Sequence, residues 1–125
     1  MANEITIAGS LTVTDTASTF SLPRFGTTQL QADQANPGIR HFTQNIGTSA
    51  ETVDTTAMTN EGWCIMKNLD ATNYITWGPD STGQVTIGRI LPGEQAGPFQ
   101  LEPGIVLKAT ANTAACDLEI LVLEL

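Results

Sequence analysis

The sequence predicts an all-β fold: a single β-sandwich, jelly-roll-like, of about eight to ten short antiparallel strands with little or no helix. Three observations predict it. Segment after segment alternates apolar and polar residues at the two-residue period of a strand, and no stretch carries a 3.6-residue apolar period. Glycine and proline turn signals recur at the spacing expected between short strands. Charged residues make up only 14% of the chain, well below the ~25% usual in globular proteins. Threonine, glycine, asparagine and alanine take their place, a composition suited to pleated surfaces.

At 125 residues the chain is long enough for one domain with a core and too short for two. The expected domain is therefore 1–125, with residues 14–38 an arm or long loop. Residues 4–13 alternate: Ile5, Ile7, Leu11 and Val13 face one way and Thr6, Ala8, Ser10 and Thr12 the other, with Gly9 marking a bulge or bend. From Thr14 to Gly38 the pattern weakens. Residues 19–22 and 27–30 read as short strand pieces interrupted by Pro23, Gly26 and Asn36-Pro37-Gly38. An arm docking on a neighbouring subunit and an ordinary surface loop both remain open here. Residues 39–46 form a strand with Phe42 and Ile46 inward, and residues 51–55 pair back on it after the Gly47-Thr48-Ser49 turn.

Residues 62–78, GWCIMKNLDATNYITWG, read as a hairpin at the centre of the core. In its first strand Trp63, Ile65 and Lys67 share one face, and Cys64 and Met66 the other, so both faces are apolar. Asn68, Asp70, Thr72 and Asn73 supply turn chemistry, and the second strand carries Ile75 and Trp77. Both tryptophans of the protein lie here and each buries a large area, so the expected core residues are Trp63, Ile65, Ile75 and Trp77. A turn at 78–83 follows, then a strand over 84–91 with Val85, Ile87, Arg89 and Leu91 on one face. Leu91-Pro92-Gly93 and Glu102-Pro103-Gly104 predict two type II turns, because proline sets φ at the first central position and glycine accepts the positive φ at the second. Phe99 and Leu101 form a short strand between them, and residues 105–111 alternate again. In the last strand, 116–125, Leu118, Ile120 and Val122 make one apolar face, and Leu121, Leu123 and Leu125 make the other apolar too. Such a strand must be covered twice, once by its own core and once by another segment or a neighbouring subunit. Leu121, Leu123 and Leu125 are the candidate oligomer surface.

Thirteen acidic against five basic residues give a net charge of −8. Arg24, Arg40, Lys67, Arg89 and Lys108 are scattered, so neither a nucleic acid nor an anionic membrane is an expected partner. No apolar run approaches the ~20 residues that span a bilayer. The opening MANEITIAGS does not read as a signal peptide, so synthesis in a cytoplasm is expected, with Cys64 and Cys116 reduced and buried. A disulfide stays open if their strands are neighbours. No catalytic site is expected. His41 has no second ligand at metal spacing, the 68–73 turn departs from a calcium loop, and the 78–83 loop lacks the lysine of a phosphate-binding loop. No cofactor, metal or enzymatic activity is therefore expected.

With the elements laid out, the runs IGTSAET (46–52), GWCIMKNLDATNY (62–74), LPGE (91–94) and LEPGIVLKATANTAACDLEILVLE (101–124) resemble those of small virion-associated proteins of tailed bacteriophages. The likeness spans most of residues 1–13 and 39–125 and rests on strand and turn motifs. The resemblance implies a viral structural protein of the virion, most directly a β-sandwich capsid decoration or cement protein on the capsid surface. It implies a homotrimer bound to the phage major capsid protein and stabilising the head, after synthesis in the host cytoplasm. A tail or baseplate structural protein with a host-binding surface is the alternative. No site residue follows from the resemblance.

Overall fold

The computed structural model describes residues 4–14, 19–22, 30–32, 34, 38–55 and 58–124. It is all-β: twelve strands and no helix among the described residues. They are β1 (Ile5–Ile7), β2 (Leu11–Thr14), β3 (Thr19–Leu22), β4 (Leu30–Ala32), β5 (Ile39–Ile46), β6 (Glu51–Thr52), β7 (Glu61–Asn68), β8 (Ile75–Pro79), β9 (Gly88–Ile90), β10 (Gln95–Gln100), β11 (Leu107–Ala111) and β12 (Cys116–Glu124).

The chain divides into two compact units, Met1–Ala35 and Asn36–Leu125. In the first, β1 pairs with β4 and β2 with β3, both antiparallel. The single strand expected over 4–13 is two strands separated by residues 8–10, which include Gly9. Within the weak 14–38 stretch, residues 19–22 are a strand as expected, whereas the described strand near Leu30 begins there instead of ending there. The rest of the 27–30 expectation lies outside the described residues.

The second unit is a sandwich of two four-stranded antiparallel sheets, ordered β10-β7-β12-β5 and β6-β11-β8-β9. Its logic is that of one long two-stranded ribbon folded over. Ile46 faces Cys116, Glu51 faces Ala109, Met66 faces Ala96 and Ile75 faces Ile90. These pairs lie nearly symmetrically about the 80–84 turn, where Asp80 bridges Gln84. Rolling the ribbon brings β12 against β7 and β11 against β8. First strand beside last, second beside next-to-last, shared between two sheets: this is the jelly-roll connectivity.

That topology corrects the hairpin. β7 and β8 do not pair; they lie in opposite sheets, and residues 69–74 arch between them. Residues 51–55 likewise do not return to β5 as a strand, since β6 pairs with β11 in the other sheet. Residues 85–87 fall outside the named strands, although the Val85 and Ile87 amides donate to the Pro79 and Trp77 carbonyls at 2.8 and 2.9 Å.

The core fills the space between the sheets. From the first sheet come Ile46, Cys64, Met66, Leu118, Ile120 and Val122, all essentially buried. The second supplies Ile75, Ile90 and Leu107, with the small Ala109 and Ala111 set directly opposite Trp77 and Ile75 on β8. Placing small residues beside large ones lets side chains from the two layers interdigitate. Both proline-glycine turns take the expected form. The Glu94 amide donates to the Leu91 carbonyl and that of Ile105 to Glu102, with φ of 75° at Gly93 and 82° at Gly104. The buried Glu61 carboxylate accepts from the Gly104 amide at 3.0 Å and the Thr55 hydroxyl at 3.2 Å, tying the second turn to β7.

Candidate interaction surface

Strand alternation gives the first sheet an inner and an outer face. Its outer face carries Trp63, Ile65 and Lys67 from β7, Asp117, Glu119, Leu121 and Leu123 from β12, and Ile39, His41, Thr43 and Asn45 from β5. The register sets them in rows: Ile65, Leu121 and His41 across three strands, Lys67, Glu119 and Thr43 beside them, and Leu123 next to Ile39. One end is polar. Asn45 donates to Asp117 at 2.9 Å, and His41 Nε2 lies 3.1 Å from Glu119 Oε2. The other end is apolar, built from Trp63, Ile65, Leu121, Leu123 and Ile39. The first four are half-buried and Ile39 is 66% exposed.

The four expected core residues therefore separate. Ile75 is fully buried. Trp77 is half-buried and packs on the core, its ring stacked on Phe99 of the opposite sheet at 5.1 Å and 5°. Trp63 and Ile65 are not core residues: they share the outer face, because the inner positions of β7 belong to Cys64, Met66 and Asn68. Leu121 and Leu123, expected as an oligomer surface, lie on that same outer face, half-buried. Leu125 lies outside the described residues.

The second sheet's outer face is different in kind. Gln84 Nε2 donates to the Thr76 and Thr86 hydroxyls at 3.1 and 3.0 Å, and the Thr110 hydroxyl donates to Gln84 Oε1 at 2.6 Å. Arg89 stacks over the Tyr74 ring at 4.2 Å. On this face Gln84 is hydrogen-bonded to three threonines, and the exposed Leu91 and Val106 flank its strands as single apolar residues. The two faces thus differ: polar threonine and glutamine dominate one, and an apolar cluster lies at one end of the other. Where the sheets meet at β8 and β10, a cavity of about 330 Å³ opens beside the Trp77–Phe99 stack, lined also by Ile87, Leu101 and Ile105. Trp77 Nε1 is buried and has no hydrogen-bond partner among the described residues.

Asn68, read from sequence as turn chemistry, is completely buried. Its Nδ2 donates to the Asn73 and Ile90 carbonyls at 2.8 and 3.1 Å, and its Oδ1 accepts from the Asp70 amide at 2.9 Å. Its own main chain bonds to Glu94 and Gly93. One residue thus joins the inter-sheet arch and β9 through its side chain and the first proline turn through its main chain. Asp70 Oδ1 accepts the Asn73 and Thr72 amides at 2.6 and 2.8 Å, and these bonds lower its pKa below the ordinary carboxylate value. Among the described residues no three or more His, Cys, Asp or Glu side chains gather as a metal site.

The cysteines are both free and buried. Cys64 sits opposite Val122 on β12 while Cys116 begins that strand, so six residues separate their levels, roughly 20 Å of strand. A disulfide needs Cα atoms within about 7 Å, and the pairing left open by the sequence is closed by this register. Burial pushes the Cys64 thiol up from 9.0 to about 12. Burial first, then the Asp70 and Asp117 carboxylates, raises that of Cys116. A thiol reagent at pH 8 should label neither cysteine in the folded protein and both after denaturation. Between pH 9 and 12 the unfolded chain loses the Cys64 proton while the folded chain keeps it. Stability should therefore fall as pH rises through that window, by at most about 1.4 kcal/mol per pH unit from this group. Chemical denaturation of wild type beside Cys64→Ala isolates the slope; equal slopes would place the thiol in contact with solvent.

Comparison with protein families, curated proteins and solved structures finds no match to this chain.

Proposed function

We propose that this chain is a non-enzymatic structural protein of a tailed-phage virion, a decoration or cement protein that binds the assembled head and stabilises it. The observation that carries the reading is the inequality of the two sheet faces. A threonine-lined outer face suits permanent contact with solvent. The apolar end formed by Trp63, Ile65, Leu121, Leu123 and Ile39 suits contact with protein. The sandwich contributes as well: jelly rolls build many viral capsid domains, although a fold by itself assigns no function. In this reading the chain is a homo-oligomer, with a trimer as the form the phage resemblance implies. Leu121 and Leu123 lie in the contact, and the major capsid protein is the platform. Repeated modest contacts from one oligomer to neighbouring capsid subunits then sum to firm attachment.

The test is co-sedimentation of purified protein with mature, expanded heads that lack it, beside free capsid protein and isolated tails. Stoichiometric binding to heads, weak binding to free capsid protein and little loss at moderate salt are expected, because the apolar end carries few charges. Leu121→Asp should reduce head binding at least tenfold with an unchanged β-type circular dichroism spectrum. Binding to tails with none to heads would overturn the reading and favour a tail or baseplate protein.

A further inference from the structure

Each sheet of the sandwich ends in two edge strands, and three of the four are blunted. β6 is two residues long and β9 three. β10 is broken by a register shift between Ala96 and Phe99, where Pro98 has no N–H to offer. Short strands, prolines and bulges are the devices by which proteins keep sheet edges from pairing with other chains. β5 has none of them. It is eight residues long, aligned with β12 without a shift from Ile39 to Ile46. Among the described residues its main chain hydrogen-bonds only to β12, and the outward row of amides and carbonyls has no main-chain partner there. Its contacts beyond β12 are made by side chains of the inner face, where Gln44 bonds the main chain of Thr52 and Asp54 and Arg40 pairs with Asp54 at 3.0 Å.

Charge says what can approach this edge. The chain carries thirteen carboxylate side chains against five basic ones, yet residues 38–50 contain no Asp or Glu and hold Arg40 and His41. By contrast, β6 begins with Glu51 and β10 lies between Glu94 and Glu102. Two copies of an acidic protein repel each other over most approaches. β5 itself brings no carboxylate to such a meeting, and its one arginine, Arg40, is already matched within its own chain by Asp54.

We infer that β5 is a self-pairing edge: a second copy of this chain adds its own β5 antiparallel across a two-fold axis. Two four-stranded sheets become one continuous eight-stranded sheet. The two-fold sets the outer faces of both copies on the same side, so the apolar patches around Ile39 and Leu123 lie on one surface of the pair. An isologous contact of this kind joins chains in twos, so the assembly in solution is a dimer or a multiple of two. The inference does not depend on where in a virion the protein resides. It adds a seam distinct from the Leu121 and Leu123 contact.

The experiment is sedimentation velocity on the wild-type chain and on Thr43→Lys, with amide hydrogen exchange on the wild type across a dilution series. Thr43 is an exposed residue at the middle of β5, so the two-fold brings two copies of it together and paired lysines repel. An even-numbered wild-type particle is expected, with self-association weakened at least tenfold in Thr43→Lys and the circular dichroism unchanged. Thr86→Lys, on the opposite sheet's side, should leave the mass as it is. In the wild type, alternate amides along β5 should exchange slowly when concentrated and faster on dilution. If Thr43→Lys fails to fold, the wild-type exchange pattern decides. A monomer at tens of micromolar, a trimer unaffected by Thr43→Lys, or β5 amides that ignore dilution would each overturn the seam. A trimer of that kind that still binds heads would leave the decoration reading standing.

Discussion

Ile120→Ala should lower the unfolding free energy by about 2–5 kcal/mol, whereas Trp63→Ala should cost roughly 1–2 kcal/mol in the isolated chain. The ranking runs against side-chain size and follows from which face each residue occupies. Ile120 is fully buried at the middle of β12, flanked by Met66 on β7 and Phe42 on β5. Its truncation leaves a cavity in the centre of the sandwich, a loss comparable with a good part of a small domain's total stability. Trp63 is half-buried on the outer face, so its truncation removes surface contact and opens no cavity. Chemical denaturation of both variants measures the order. Equal losses would mean that another segment already covers the outer face and makes it a second core.

The second large effect is expected at Asn68. Asn68→Ala removes two donors and one acceptor, stranding the buried Ile90 carbonyl and the part-buried Asn73 carbonyl and Asp70 amide. Each buried polar group left unpaired costs about 1–3 kcal/mol, and relaxation of the arch recovers part of it, so a total of about 3–5 kcal/mol is expected. Asn68→Asp keeps the shape but replaces the donors with a buried carboxylate facing two carbonyls, and should be at least as damaging at neutral pH. It should recover partially on acidification, when the protonated acid can donate once. Thermal unfolding of both variants from pH 4 to 8 tests this. An Asn68→Asp protein as stable as wild type at pH 7 would show that water reaches the site.

Much of the local structure is written in the residues themselves. The strand at 39–46 with Ile46 fully buried and Phe42 packed against the core, the alternation of 107–111, the nine-residue final strand and both proline-glycine turns follow from side-chain period and backbone preference alone. Those are properties of residues two to four positions apart, and the chain declares them wherever one apolar face stands against one polar face. In β12 Leu121 and Leu123 lie outward, on the side the sequence marks as the candidate oligomer surface. The alternation of β7 declares two faces but not which is inner, because both are apolar, and only the opposite sheet, by closing over Cys64 and Met66, turned Trp63 and Ile65 outward. Partner choice was equally hidden. β7 and β8 are neighbours in sequence with an inviting polar turn between them, yet they belong to different sheets. Their partners, β10 and β12 for one, β11 and β9 for the other, come from the returning half of a ribbon whose fold is set by packing across the whole sandwich. Asn68 shows the same division within one residue: its type announced a turn, while its burial and its bonds to Ile90 exist only once the two sheets have met.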